Sequence, residues 1–261
     1  MVYAVKYKYA VVDGLRIRYL DVGSGYPLIL IHGLGGSIEA WHSTITALSD
    51  NYRVIALDLR GFGRSQKPPN SVSIGDLARD VVGVMDYTGV HRACLLGFSM
   101  GGLVALETYR SYPERIDCLI LASTSPRLRV DAENIRRAFS TPSNAYQSLK
   151  RLTYKLSNSK TLKLLAEALA SNDPEYMAAV ADVVSRVDYW GLLPQVKVPV
   201  LILVGELDPL VPLETARRMA DIIPDARLEV IRGAGHLSKF DDPKAFNLAV
   251  VRFLDSITGR L

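Results

Sequence analysis

The 261-residue sequence is short of several features that would place it in other classes. It has two cysteines, Cys94 and Cys118, too few for a disulfide framework. Both fall in predicted buried strands. Those strands are expected to be neighbours, so a bridge is geometrically open, but buried free thiols are the expectation. No apolar run approaches the length that spans a bilayer, so no membrane segment is expected. The opening MVYAVKYKYAVVDG has neither a long apolar stretch nor a small-residue cleavage site. It therefore does not read as a signal peptide, and the cytoplasm is the expected location. Glutamine (three) and asparagine (seven) are scarce, a weak mark of thermostable proteins on which nothing further rests. The net charge of +4 is mild, and no nucleic-acid-binding module or base-stacking aromatic pattern accompanies it.

What charge there is lies unevenly. From Arg127 to Lys163 there are nine basic residues against Asp131 and Glu133, a local excess of +7 that exceeds the whole chain's. A solvated helical face is the plain explanation, and steering of an anionic substrate is the sharper one.

With 49% hydrophobic residues the chain can bury one substantial core. Residues 6–12 and 15–22 alternate polar and apolar around Asp13-Gly14, a hairpin signature. Continuous apolar strands are expected at 27–31, 53–59, 93–96, 116–123 and 198–205, with a last strand at 226–231. Between them, helical spacing covers 40–49, 73–87, 100–112, 213–223 and 243–257. Alternation of this kind predicts an α/β fold, a mostly parallel sheet flanked by helices with an antiparallel edge. Residues 126–190 break the alternation. They contain no strand pattern and about four short helices, with starts such as Thr141-Pro142 and Asp173-Pro174, and read as a helical cap (lid) between two strands. The core domain is then 1–125 with 191–261.

The run Gly97-Phe98-Ser99-Met100-Gly101 stands between a predicted strand and a predicted helix. A tight turn there forces its central residue into a strained conformation, crowds out side chains on either side, and lifts the Ser99 hydroxyl above the sheet. The helix N-terminus aims the Met100 N–H at the same place, where a developing oxyanion would sit. A serine nucleophile needs a base, and the base an orienting acid. Of four histidines, His236 lies in a glycine-rich loop after the last strand, at the edge where open α/β sheets carry their sites. His42 and His91 have surface contexts. Asp208, three residues past Gly205, can turn back toward His236, whereas Glu206 is placed to cap or pair locally. In the loop His32-Gly33-Leu34-Gly35-Gly36, the Leu34 N–H is the second expected oxyanion donor, and His32 is expected to fix the loop by hydrogen bonding.

These motifs together resemble the α/β-hydrolase superfamily over nearly the whole chain. His32-Gly33 resembles the family's oxyanion loop, and Asp58-Leu59-Arg60-Gly61-Phe62-Gly63-Arg64-Ser65 its structural D-x-R-G-x-G-x-S turn. Gly97–Gly101 resembles its nucleophile elbow, and Gly235-His236 its histidine loop. The resemblance implies an eight-stranded sheet with an antiparallel second strand and a cap inserted after the sixth. Ser99 differs from the aspartate nucleophile of haloalkane dehalogenases and epoxide hydrolases, and Phe98 stands where carbon–carbon bond hydrolases often have asparagine. GFSMGG resembles small carboxylesterases, cofactor-free perhydrolase-like esterases and enol-lactonases, and Gly235-His236-Leu237-Ser238 resembles the enol-lactonases.

The expected activity is a serine carboxylesterase with Ser99, Asp208 and His236 catalytic, Leu34 and Met100 supplying the oxyanion hole, and no metal or organic cofactor. The expected partner is a small-molecule ester or lactone, with no nucleic acid and no membrane, and oligomeric state is left open. Alternatives are a lactonase, a proline-releasing peptidase using Glu167, Glu175 or Asp182 to hold a substrate amine, a lyase or cofactor-free oxygenase of the same fold, and a non-catalytic binding protein. The last fits poorly, because all three triad residue types are present. Tyr146, Tyr154, Met177 and Trp190 are candidates either for pocket lining or for packing within the helices of 126–190.

Overall fold

Two residues with positive φ, Asp13 and Gly14, turn the chain from strand β1 (Lys8–Val12) into β2 (Leu15–Val22), the geometry a two-residue hairpin requires. The computed structural model describes residues 6–156 and 159–260. Residues 1–5, part of the stretch read for a leader, and Ser157 and Asn158 within 126–190 lie outside the described residues. Six further strands follow: β3 (Pro27–Ile31), β4 (Arg53–Leu57), β5 (Ala93–Phe98), β6 (Ile116–Ala122), β7 (Val200–Gly205) and β8 (Ala226–Ile231). They form one eight-stranded sheet in the order β1-β2-β4-β3-β5-β6-β7-β8. β2 runs antiparallel to both neighbours, and β3 to β8 are all parallel. Every residue of β5 and β7 is buried, which is why these strands read as unbroken apolar runs. β8, at the edge, alternates.

The helices are α1 (His42–Leu48), α2 (Ile74–Tyr87), α3 (Met100–Ser111), α4 (Ala132–Ala138), α5 (Pro142–Lys150), α6 (Lys160–Ala170), α7 (Pro174–Ser185), α8 (Leu213–Ile222), α9 (Ser238–Asp241) and α10 (Pro243–Thr258). Ser73 is the N-cap of α2 in a reciprocal capping box with Asp76, so the helix begins one residue after the expected start. The expected helix at 40–49 divides into a 3-10 turn, Ile38–Trp41, and α1. α2 packs with α3, α1 with α10, and α8 against β7 and β8. Among the described residues, none of these helices is long and apolar enough to cross a membrane.

Between β6 and β7 the chain carries α4 to α7 and, among the described residues, no strand. Asp131, Thr141, Ser159 and Asp173 cap the four helices through their side chains, and Pro142 and Pro174 occupy first turns. The segment is held to the loops after β3 and β4. Asn172 donates to the Gly35 carbonyl at 3.0 Å, Tyr176 donates to the Arg60 carbonyl at 2.9 Å, and Lys67 pairs with Asp173.

One expectation is corrected. Cys94 and Cys118 are joined as a disulfide rather than standing as free thiols. The register sets them directly opposite one another on β5 and β6, with Cα atoms 4.6 Å apart, within the span a bridge allows.

The turn after β4 is held by buried charge. Asp58, fully buried, accepts from the Ile38 and Arg64 N–H groups and from Arg18 Nη1 at 2.7, 2.9 and 3.1 Å. Arg60 forms two bonds to Asp80 Oδ1, at 2.9 Å from Nε and 2.7 Å from Nη2, and its own N–H donates to Oδ2 at 2.8 Å. Burial pushes Asp80 up to about 6 against the pull of Arg60, which still leaves it ionised at neutral pH. Asp80→Ala would strand the Arg60 guanidinium with only its more exposed partners, Asp13 and Asp76. We expect a loss of about 3–5 kcal/mol of unfolding free energy by urea titration, and a loss below about 1 kcal/mol would contradict this account.

Candidate active site

Four strands, β3, β5, β7 and β8, deliver their carboxyl ends to the same edge of the sheet, and each is followed by a residue singled out in the sequence. The chain winds one way from β3 to β4 and the other way to β5, so β3 and β5 flank the point where an open α/β sheet leaves a crevice.

After β5, Ser99 has φ +52° and ψ −119°, a conformation non-glycine residues rarely adopt. The flanking glycines have a measurable reason. A Cβ on Gly97 would fall 2.2 Å from the Gly101 carbonyl oxygen, and one on Gly101 would fall 2.2 Å from that of Ile31. Either contact is backbone on backbone and cannot be relieved by a rotamer change. Ser99 N–H donates to the Ala122 carbonyl at 2.9 Å, and Thr124 Oγ1 donates to the Ser99 carbonyl at 2.7 Å.

His236 Nε2 lies 3.0 Å from Ser99 Oγ. Its Nδ1 lies 2.9 and 3.1 Å from the two carboxylate oxygens of Asp208. A carboxylate only accepts, so Nδ1 carries the proton and donates, and Nε2 offers its lone pair to the serine hydroxyl. Asp208 Oδ1 also accepts from the Leu210 and Val211 N–H groups at 2.8 and 3.0 Å, which fixes the carboxylate plane. Asp208 and His236 are buried, and Ser99 is half-buried. Glu206 is exposed and accepts from the Gly233 N–H at 2.8 Å, bracing the histidine loop without reaching the imidazole.

Among the described residues, neither the Leu34 nor the Met100 N–H is taken by a carbonyl or a side chain. Both residues border the same cavity as Ser99. His32 is fully buried. The Leu59 N–H donates to its Nε2 at 3.0 Å, so Nδ1 is the protonated nitrogen and faces the Gly33 carbonyl at 2.8 Å. Burial lowers its pKa, partly opposed by the Asp58 charge, and the ring is a neutral brace between the loops after β3 and β4. His42 and His91 are exposed, as their contexts suggested.

Ser99 and His236 open onto a cavity of about 680 Å³ with a largely apolar wall that includes Leu34, Phe139, Leu149, Leu152, Leu165 and Val184. Residues of α4 to α7 supply much of that wall. A second cavity of about 370 Å³ reaches the same two residues from the side of Ser125, Arg127, Arg129 and Trp190. Of the aromatic and sulfur candidates, Trp190 borders this smaller cavity, Met177 is buried in the core and Tyr154 is exposed. Glu167, Glu175 and Asp182 border neither cavity. Glu175 pairs with Arg136, and Asp182 with Arg186.

Sequence reasoning passed over Lys239. It lies in α9, is 5% exposed, and borders the large cavity three residues beyond His236. A lysine in the first turn after the histidine loop gave no periodic signal, because the short helix itself was not anticipated.

A family model described as the alpha/beta hydrolase fold matches residues 26–152 and 131–243. A 2-hydroxy-6-oxononadienedioate/2-hydroxy-6-oxononatrienedioate hydrolase of Burkholderia vietnamiensis is 31% identical, with 95% of each chain covered. Among solved structures, a thermophilic esterase from Thermogutta terrifontis superposes with a TM-score of 0.88 at 29% identity, covering 97% of this chain and 99% of that one. The enol-lactonase from Burkholderia xenovorans LB400 does so with a TM-score of 0.88 at 28% identity, covering 95% and 99%. With the eight-stranded sheet, its single antiparallel second strand and the strained serine turn already in place, the match over most of the chain makes this protein a member of the alpha/beta hydrolase family.

Proposed function

We propose that the protein is a serine carboxylesterase working through an acyl-enzyme on Ser99. The observation that carries this reading is the unbroken chain Ser99 Oγ, His236 Nε2, His236 Nδ1, Asp208 facing a cavity large enough for a small ester. Ser99 Oγ attacks the substrate carbonyl as its proton passes to His236 Nε2. Asp208 holds the ring in the required tautomer and offsets the imidazolium charge that forms. The Leu34 and Met100 N–H groups receive the tetrahedral oxyanion, each contributing on the order of 3 kcal/mol. The imidazolium then protonates the departing alcohol, and water activated by the same nitrogen releases the acid. These side chains and water suffice for the chemistry.

In the same proposal, residues 126–190 form a cap on a core made of 1–125 and 191–261, and the protein works in the cytoplasm on a small molecule. The cap reading rests on the share of the cavity wall that α4 to α7 supply. Lactone hydrolysis is the second reading, since it needs the same attack and differs only in that the alcohol stays tethered; the enol-lactonase likeness favours it. A peptidase is disfavoured, because none of the three candidate acids in 126–190 reaches a cavity. The likeness to the dienedioate hydrolase is set against Phe98, whose ring tilts onto His236 at a centroid distance of 5.5 Å.

Ser99→Ala is expected to lower kcat on a short-chain nitrophenyl ester by on the order of a millionfold with an unchanged circular dichroism spectrum. Retained turnover would end the proposal. Asp208→Asn should cost on the order of ten-thousandfold, while Glu206→Gln should move kcat no more than about twofold. The reverse order would reassign the acid. A panel of esters of graded acyl length beside several lactones, compared by kcat/KM, separates the two substrate readings.

A further inference from the structure

Most charged groups near the site are accounted for. Glu39, the one carboxylate bordering the large cavity among the described residues, is bound to Arg18 at 2.7 Å. Arg127 pairs with Asp188. Lys239 is different. The residue is buried and borders the cavity, and among the described residues no carboxylate pairs with its amine. Its Nζ donates to the Ala40 carbonyl at 2.6 Å, and three ring centroids lie close: Trp41 at 4.0 Å, Phe240 at 4.4 Å and Phe98 at 5.0 Å. An ammonium has three donors, and among the described residues a single carbonyl accepts from it. The rings offset only part of the cost of removing the charge from water. Among the described residues, a second donor in the same corner also has no acceptor, the buried indole N–H of Trp41.

An amine in this position is a poor choice for a cavity meant only for apolar groups. A leucine or methionine would fill the corner without desolvating a charge. A carboxylate entering the cavity changes the balance, because it supplies both the missing acceptor and the missing countercharge in a place shielded from water.

We propose that Lys239 is a specificity-determining anchor for a substrate carboxylate, so that the large cavity takes an ester or lactone carrying a free carboxylate on the part that occupies it. This rests on the ester-hydrolase reading for the reaction, but not for the binding. Burial without a counterion lowers the proton affinity of the free amine, and a bound carboxylate restores it. Phe98 connects the anchor to the reaction, since its ring touches both Lys239 and His236 and its backbone precedes Ser99.

The test is a calorimetric titration of glutarate and of its neutral counterpart glutaramide into the wild type, Lys239→Met, Lys239→Gln and the double variant Arg127→Gln/Arg129→Gln. Lys239→Gln keeps a donor for the Ala40 carbonyl and serves if the methionine variant does not fold. We expect the wild type to bind glutarate roughly ten- to hundredfold more tightly than glutaramide. Both Lys239 variants should lose that advantage and the arginine variant should keep it. Equal binding of the two ligands, no measurable glutarate binding, or an advantage that survives loss of Lys239 overturns the proposal. An advantage that vanishes with the arginines instead assigns the anion to the smaller cavity and overturns it as well. Because the titration needs no turnover, its outcome is independent of the nitrophenyl ester assay with Ser99→Ala.

Discussion

The close approach of three backbone segments, the end of β3, the turn at Ser99 and the first turn of α3, is the constraint on which the site depends. Gly101 lies so near the Ile31 carbonyl that no side chain fits between them, and Gly97 lies equally near Gly101. A serine at φ +52° is costly in isolation, by about 1–3 kcal/mol. It persists because the surrounding backbone leaves no alternative path. The same compression draws a second loop in. A Cβ on Gly33 would lie 3.3 Å from that of Ser99, so the loop that carries the Leu34 N–H is brought beside the Ser99 turn by packing alone.

Behind that loop stands a layer of buried polar groups with partners far away in sequence. His32 bridges to Leu59, Asp58 to Ile38, Arg64 and Arg18, and Arg60 to Asp80. Each of these groups meets an acceptor or countercharge, and the loops they join are those from which α4 to α7 are suspended through Asn172 and Tyr176. The rigid elbow and the apolar cavity wall are thereby connected through hydrogen bonds rather than through a continuous strand or helix. Lys239 departs from this pattern, since among the described residues its only hydrogen-bond acceptor is a carbonyl.

Much of this was legible in the chain because it is written locally. The order of strands and helices follows from period and punctuation, and Ser99, Asp208 and His236 stand out because each lies in a loop just past a strand end. The distinction between Glu206 and Asp208 could be drawn from their distance to Gly205, and the structure places the first on Gly233 and the second on His236. What escaped depends on register and on depth. Nothing in local sequence says that Cys94 faces Cys118, because their pairing is a property of how two parallel strands align. Nothing local marks Lys239 as buried, because the aromatic rings around it come from residues 41, 98 and 240. The 3-10 turn that precedes α1 begins at Ile38, whose N–H donates to the Asp58 carboxylate, a partner that sequence spacing cannot show.

The bridge between Cys94 and Cys118 encloses more than two strands. Its 24-residue span contains the end of β5, the whole serine turn, α3 and the start of β6. Ser99 therefore lies on a covalent ring, closed beneath it in the fully buried layer of the sheet. Such a ring forbids the unfolded chain the configurations in which β5 and β6 drift apart, a restriction of about 3–4 kcal/mol in the chain-entropy view. That is comparable to the cost of holding Ser99 in its strained conformation. The most strained backbone of the site is thus carried on the only stretch of the chain whose two ends cannot separate.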